Sequence, residues 1–99
     1  MAKAVKRESL VEAELVARVR AMGGMAEKVQ VIGRRGFFDR LVILPGGRVY
    51  FVEVKRPRGG RLSPHQIWYL TAFDALDVAI AVVRNSEDIT ELLGASRKK

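Results

Sequence analysis

Apolar residues recur along this chain with two different periods, and each period marks an element. Over residues 9–22, Leu15, Val19 and Met22 follow the i, i+4, i+7 spacing of a helix face, and Gly23 and Gly24 stop the run. Carried back toward the N-terminus, that face takes in Val11, Glu12 and Glu8. At least one carboxylate is therefore expected on the inward stripe. The alternative is a first turn frayed into water, whose acids only favour the helix dipole. Residues 26–32 then alternate, Lys28 and Gln30 against Val29 and Val31, as a short strand does. "GRRG" follows as a flexible loop. A second strand is predicted over 39–44 and a third over 48–55, joined by the turn "PGG". "RPRGGR" cannot continue a strand and forms a basic loop. Ser63, Pro64 and Gln66 supply the N-cap, N1 and N3 of a capping box, so a second helix starts there and runs to about Asp74. Residues 78–83 read as a strongly apolar, central strand. Ser86 caps a last short helix, with Glu87 and Asp88 in its first turn and Leu92 and Leu93 docking it. The predicted order is α-β-β-β-α-β-α, an α/β fold with a central mixed sheet flanked by helices.

Composition narrows the field. At 99 residues the chain can form one domain, residues 1–99, with one modest core; 1–6 and 95–99 are expected to be flexible. With 48% hydrophobic and 29% charged residues it is globular rather than disordered. It has no cysteine, which excludes disulfides, thiolate metal sites and a cysteine nucleophile. No apolar run approaches the ~20 residues that span a bilayer, and the N-terminus lacks a signal-peptide core. The expectation is a cytoplasmic protein without a membrane partner. The net charge of +7 favours a polyanionic partner. Nucleic acid comes ahead of membrane, because no strongly basic amphipathic helix is visible. A merely soluble basic protein is the alternative. The charge is clustered: Arg34 and Arg35 in one loop, Arg56, Arg58 and Arg61 in another, and Arg97, Lys98 and Lys99 at the end.

The hairpin carries the candidate chemistry. In the third strand Val49, Phe51, Glu53 and Lys55 share one face, and Tyr50, Val52 and Val54 share the other. Glu53 and Lys55 thus continue an apolar row, where an isolated charge is expensive to bury. With about four residues of turn, Leu44 pairs near Val49, and Asp39 falls near Val54 or Lys55. Asp39, Glu53 and Lys55 then form one cluster. Two adjacent carboxylates repel unless a cation neutralises them. A hard ion such as Mg²⁺ suits one or two carboxylates plus water and phosphate oxygens, and the carbonyl of Val54 offers a third protein oxygen. Lys55 would stabilise charge on a phosphoryl group under attack or orient the nucleophile. An ordinary salt-bridge cluster explains the bare D…ExK spacing at least as well.

Several segments in order resemble one family. The helix "RESLVEAELVARVRAMGG", Lys28, "GRRG", the D…ExK hairpin, "GGRLSPHQ" and the closing "AIAVVRNSEDI" resemble the virus-type replication-repair nuclease (VRR-NUC) family, a branch of the PD-(D/E)xK nucleases with a restriction-endonuclease-like core. The resemblance implies a Mg²⁺-dependent endonuclease, with Mn²⁺ as substitute. It assigns metal-binding roles to Asp39 and Glu53 and a catalytic role to Lys55. Glu8, reaching the ion through water, best matches the helix acid, with Glu12 as the alternate. Gln66 matches the family's glutamine motif, a role compatible with its place in the capping box. Tyr69, one turn on, is a supporting partner or a core residue. Phe38 stands where the family usually has proline, a change expected to alter packing rather than abolish activity.

Small members of the family resemble virus-encoded Holliday-junction resolvases, which act as homodimers. The resemblance therefore implies branched DNA as partner, no small-molecule substrate, a role in replication, repair or recombination, and a bacterial or phage-infected host cell. Ile67 and Trp68 face away from Gln66, Leu70 and Phe73, so a second subunit could cover them. Trp68 packing within the chain or stacking on a base are the alternatives. Lys28, Arg34, Arg35, Arg58 and Arg61 are candidate phosphate contacts, against the alternative of solvated loops. His65 is assigned no role. A non-catalytic nucleic-acid-binding module on the same fold, or an assembly protein with purely structural charges, are the competing readings.

Overall fold

In the computed structural model, residues 4–94 are described, with side chains from Glu8 onward. The elements are α1 (Ala4–Ala21), β1 (Met25–Lys28), β2 (Arg40–Leu44), β3 (Arg48–Val54), α2 (Pro64–Ala75), β4 (Ile80–Val83) and α3 (Ser86–Gly94). The expected α-β-β-β-α-β-α order therefore holds. The sheet runs β1-β2-β3-β4, antiparallel between the first three strands and parallel between β3 and β4.

Period-2 alternation divides the sheet into two unlike faces. Val42, Leu44, Val52, Val54 and Val83 point one way, into a core with Val11, Leu15 and Val19 of α1 and Ile89, Leu92 and Leu93 of α3. On the other face Phe51 meets Phe73 of α2 edge-on, with ring centres 5.1 Å apart. Phe37, Phe38 and Tyr69 complete that aromatic layer. Offset and edge-to-face contacts of this kind add about 0.5–1.5 kcal/mol per pair beyond area burial. Phe38 is 3% exposed, so the residue that replaces the family's proline is a packing element of this layer.

Several expectations are corrected. α1 begins at Ala4, earlier than the predicted start at residue 9; 1–3 and 95–99, with the basic end at 97–99, lie outside the described residues. The buried stripe of α1 is Val11, Leu15 and Val19, whereas Met22 lies past the helix and is exposed. β1 ends at Lys28 rather than residue 32. The β4 strand is shorter than predicted and lies at the sheet edge; β2 and β3 are the inner strands. Its apolar character comes from packing against α3 and α2 rather than from two flanking strands. Asn85, not Ser86, caps α3: its Oδ1 accepts from the Asp88 N–H at 2.8 Å, while Ser86 Oγ donates to Glu14 at 2.7 Å.

The hairpin turn has three residues between Leu44 and Arg48, not four. Leu44 pairs with Arg48 and Arg40 with Val52, so the register continues Asp39 opposite Glu53 rather than Val54 or Lys55. Cross-strand partners share a face, so this register serves the proposed cluster better than the predicted one.

The "GRRG" segment is entered through a turn over 31–34. Arg34 N–H donates to the Val31 carbonyl at 3.1 Å, and Gly33 takes the positive φ of +82° that the third position of such a turn favours. Gly36, also at +82°, lies against the first turn of α2; a Cβ there would overlap Cβ of His65. Gly36→Ala is therefore expected to lower stability by about 2–4 kcal/mol, from left-handed strain plus the clash. Urea unfolding compared with Gly33→Ala, whose Cβ meets open space, checks this: only Gly36 should lose more than strain alone predicts.

Candidate active site

Asp39 grips the β3 backbone on both sides of Glu53. Its N–H donates to the Val52 carbonyl at 3.0 Å, and its Oδ2 accepts from the Val54 N–H at 2.8 Å. The carboxylate is thereby held beside the strand that carries Glu53. Glu53 sits on the α2 face, continues the row of Phe51, and is only 3% exposed. Its Oε2 accepts from Gln66 Nε2 and lies 3.7 Å from Lys55 Nζ.

Gln66 is oriented by the start of its own helix. Its Oε1 accepts from Ser63 N–H at 2.8 Å, and its N–H donates to Ser63 Oγ at 3.1 Å. This is the predicted capping box. Because the box consumes the amide oxygen, the amide nitrogen is turned toward Glu53, so the same side chain caps the helix and bonds that acid. Tyr69 is a core residue: it is buried edge-on to Phe37 at 5.0 Å.

The electrostatics follow from this crowding. Burial pushes Glu53 up to about 8, the neighbouring Asp39 charge and Glu8 push the same way, and Lys55 only partly opposes them. Asp39 is also raised, by burial first and by Glu12, against the Val54 N–H and the lysine charges. Glu12 behaves differently. Burial opposes its ionisation, but Arg40 Nε at 2.8 Å and Lys28 Nζ at 3.2 Å outweigh it and hold its carboxyl low. Of the two candidate helix acids, Glu12 is already neutralised, and Glu8 is the one whose charge reaches Glu53.

Of the predicted phosphate contacts, Lys28 is committed to Glu12 although its side chain stays largely exposed. Arg34, Arg35, Arg58 and Arg61 are exposed. Arg56 folds back instead, donating to the carbonyls of Arg58 at 3.0 Å and Gly59 at 3.2 Å. Arg40 was missed by the sequence reading. Its signal was available: it occupies the even face of β2 with Val42 and Leu44, a cation entering a buried row. Among the described residues no three acidic or imidazole side chains form a ready ligand cluster, and no helix is long and apolar enough to cross a membrane.

A four-stranded mixed sheet with helices on both faces and an acid–acid–lysine cluster on its inner hairpin defines a restriction-endonuclease-like domain. Over 89 residues the chain is 42% identical to "Putative nuclease p44" of Acyrthosiphon pisum secondary endosymbiont phage 1, covering 90% of this chain and 94% of that one. A solved structure described as a VRR_NUC domain superposes with a TM-score of 0.84 at 32% identity, covering 92% of this chain and 98% of that one. No family model matches the chain. The chain belongs to the VRR-NUC family of nucleases.

The raised Glu53 has a defined consequence for stability. Between the ordinary value of 4.5 and about 8, the folded chain holds a proton that the unfolded chain has released. Stability contributed by the protonated form is complete below 4.5 and is lost as pH rises through 8. Glu53→Gln should remove that loss. Without divalent ions it is expected to be about 1–3 kcal/mol more stable than the parent at pH 8, and near parity at pH 4.5. Urea unfolding at the two pH values checks the crossover.

Proposed function

We propose that this nuclease is a Mg²⁺-dependent endonuclease, accepting Mn²⁺, that hydrolyses phosphodiester bonds in DNA and selects branched structures such as the Holliday junction. It acts as a homodimer in the cytoplasm of a bacterium or phage-infected host, in replication, repair or recombination. The observation that carries the reading is the Glu53 carboxylate, 3% exposed, beside Asp39 and 3.7 Å from Lys55. Once both acids ionise, this pair with one ammonium carries one negative charge too many for a salt bridge and suits an added cation.

The donor set fits a hard ion. Asp39 and Glu53 would hold it, with the carbonyl of Val54, whose N–H Asp39 already clamps, as a third oxygen and Glu8 reached through water. An ion held there would supply polarisation of the phosphoryl group and a stronger water nucleophile. The chain's own residues do the remainder. Hydrolysis joins the water oxygen to phosphorus and breaks the bond to the leaving sugar oxygen, which takes up a proton. Lys55 sets a positive charge against the charge that grows on the phosphoryl oxygens. Gln66, locked by its capping box, fixes the rotamer of Glu53. The aromatic layer limits water on that side and strengthens each charge interaction.

A second copy has a surface to occupy. Met25, Ile43 and Val49 lie in register across three strands on the α2 face. Met25 is 52% and Val49 43% exposed. Such an apolar row is suited to a two-fold contact that offers two active sites to two strands. Shape and charge would guide recognition, with Arg34, Arg35, Arg58 and Arg61 on phosphates.

A panel of four-way junction, flap, splayed and linear duplex DNA, incubated with Mg²⁺ or Mn²⁺, tests the reading. Cleavage should favour the junction and vanish without divalent ions. Glu53→Ala should abolish cleavage and retain binding, and Lys55→Ala should lower kcat by about 10²–10³-fold. Uncleaved DNA under all these conditions would leave a binding module. In a sizing measurement the parent should elute as a dimer and Val49→Glu as a monomer.

A further inference from the structure

A second concavity lies on the far side of the first turn of α2 from Gln66. It has a volume of about 310 Å³ and is lined by Arg34, Arg35, Pro64, His65, Trp68 and Tyr69. The Arg34 guanidinium sits 5.4 Å from the Trp68 ring centre and 5.7 Å from that of Tyr69. Trp68 meets Tyr69 edge-on at 5.1 Å, yet remains 56% exposed. An indole fixed on one side and open on another is a ready stacking surface. Neither Arg34 nor Arg35 forms a salt bridge among the described residues, so both charges are available to an anion.

This concavity shares one wall residue, Arg34, with a cleft that reaches the candidate active site. Arg34 also lines a cleft of about 270 Å³ that runs past Lys28, Gly36 and Phe38 to Asp39. Trp68 is two residues from Gln66, about 3 Å along the helix axis. Gly36 packs so closely on His65 that the arginine turn and the helix start keep a fixed spacing. A strand whose phosphodiester lies at Asp39 and Glu53 can thus follow Arg34 to the indole. In duplex DNA the bases are stacked on each other and turned inward, so only an unpaired base can meet a protein ring there.

We propose that this pocket captures an unpaired nucleotide next to the cleaved bond, its base stacked on Trp68 and its phosphate on Arg35. The assignment rests on the DNA-nuclease reading and extends it, giving branched or frayed DNA a physical basis for preference over continuous duplex. Arg34 tethers the indole and lines the path between the two sites. The apolar row offered above for a dimer contact lies on the sheet, whereas this ring lies on α2.

The chain has one tryptophan, so its emission reports this pocket alone. The test titrates the full chain, in EDTA to prevent cleavage, with splayed-arm DNA carrying unpaired thymidines and with blunt duplex of equal length. Both carry a distant dye whose anisotropy reports binding independently. Splayed-arm DNA should quench Trp68 saturably, in step with anisotropy, while the duplex binds with little quenching. Trp68→Leu should lower the preference for splayed-arm over blunt DNA about tenfold, Trp68→Phe should recover most of it, and Arg35→Ala should lower it without changing far-UV circular dichroism. Rising anisotropy with unchanged Trp68 emission would overturn the pocket and spare the nuclease reading. Emission that changes with protein concentration but not with DNA would assign the ring to the dimer contact and also overturn it. No anisotropy change with any DNA would remove both.

Discussion

Two carboxylates withdrawn from water beside each other are the constraint on which the rest of this structure depends. Left alone, such a pair would rotate apart or protonate. Here neither can rotate away. Asp39 is tied to the β3 backbone at Val52 and Val54, and Glu53 lies between those points. Gln66 closes over Glu53 with an amide whose other end is already spent. The sheet and α2 therefore supply rigidity, and the acids carry the strain as a raised protonation range. Stability given up at such a site is characteristic of a functional centre.

The two faces of the sheet divide the labour. The α1–α3 face is aliphatic and deeply buried, with Leu15, Val42, Val52 and Ile89 at 0% exposure. It holds the hairpin in register. The α2 face is aromatic and thinner, and it brings Gln66 to Glu53. Phe38 shows how a local departure from the family pattern is absorbed. A proline there would stiffen the entry to β2. Phe38 instead anchors that entry by packing with Phe37, Phe51 and Phe73. Asp39 follows immediately, so its backbone is positioned by ring packing where a pyrrolidine would have used a fixed dihedral.

Much of this arrangement was legible in the sequence, for physical reasons that can be stated. The hairpin, the capping box at Ser63 and the helix stop at Gly23 depend on chemistry within a few residues. Glu53 stood out because alternation placed a charge in an apolar row. The same logic, applied to β2, would have found Arg40. What was not legible depends on longer range. A run such as residues 78–83 looks equally apolar with two neighbouring strands or with one strand and a helix, so the edge position of β4 was hidden. The hairpin register turned on one residue of a glycine-rich turn, which pattern alone cannot count. Glu8 and Glu12 share a helix stripe. Only the approach of Arg40 and Lys28 from neighbouring strands separates them.

The division between those two glutamates bears on how the proposed centre selects its ion. Glu12 is paired with fixed cations, yet its charge still raises Asp39, and it is Glu8 rather than Glu12 that acts on Glu53. Glu8 has no such partner among the described ion pairs, and its charge is felt at Glu53. The uncompensated charge is thus concentrated on three acids, of which only the two on the hairpin are close. In the proposed centre a proton and a divalent cation would compete for the same oxygens of Glu53. Below about 8 the proton would have to leave before a cation entered, so cation affinity would climb with pH until that group is ionised. Lys55 sharpens this competition. At 3.7 Å it is near enough to favour the carboxylate and too far to replace the missing charge.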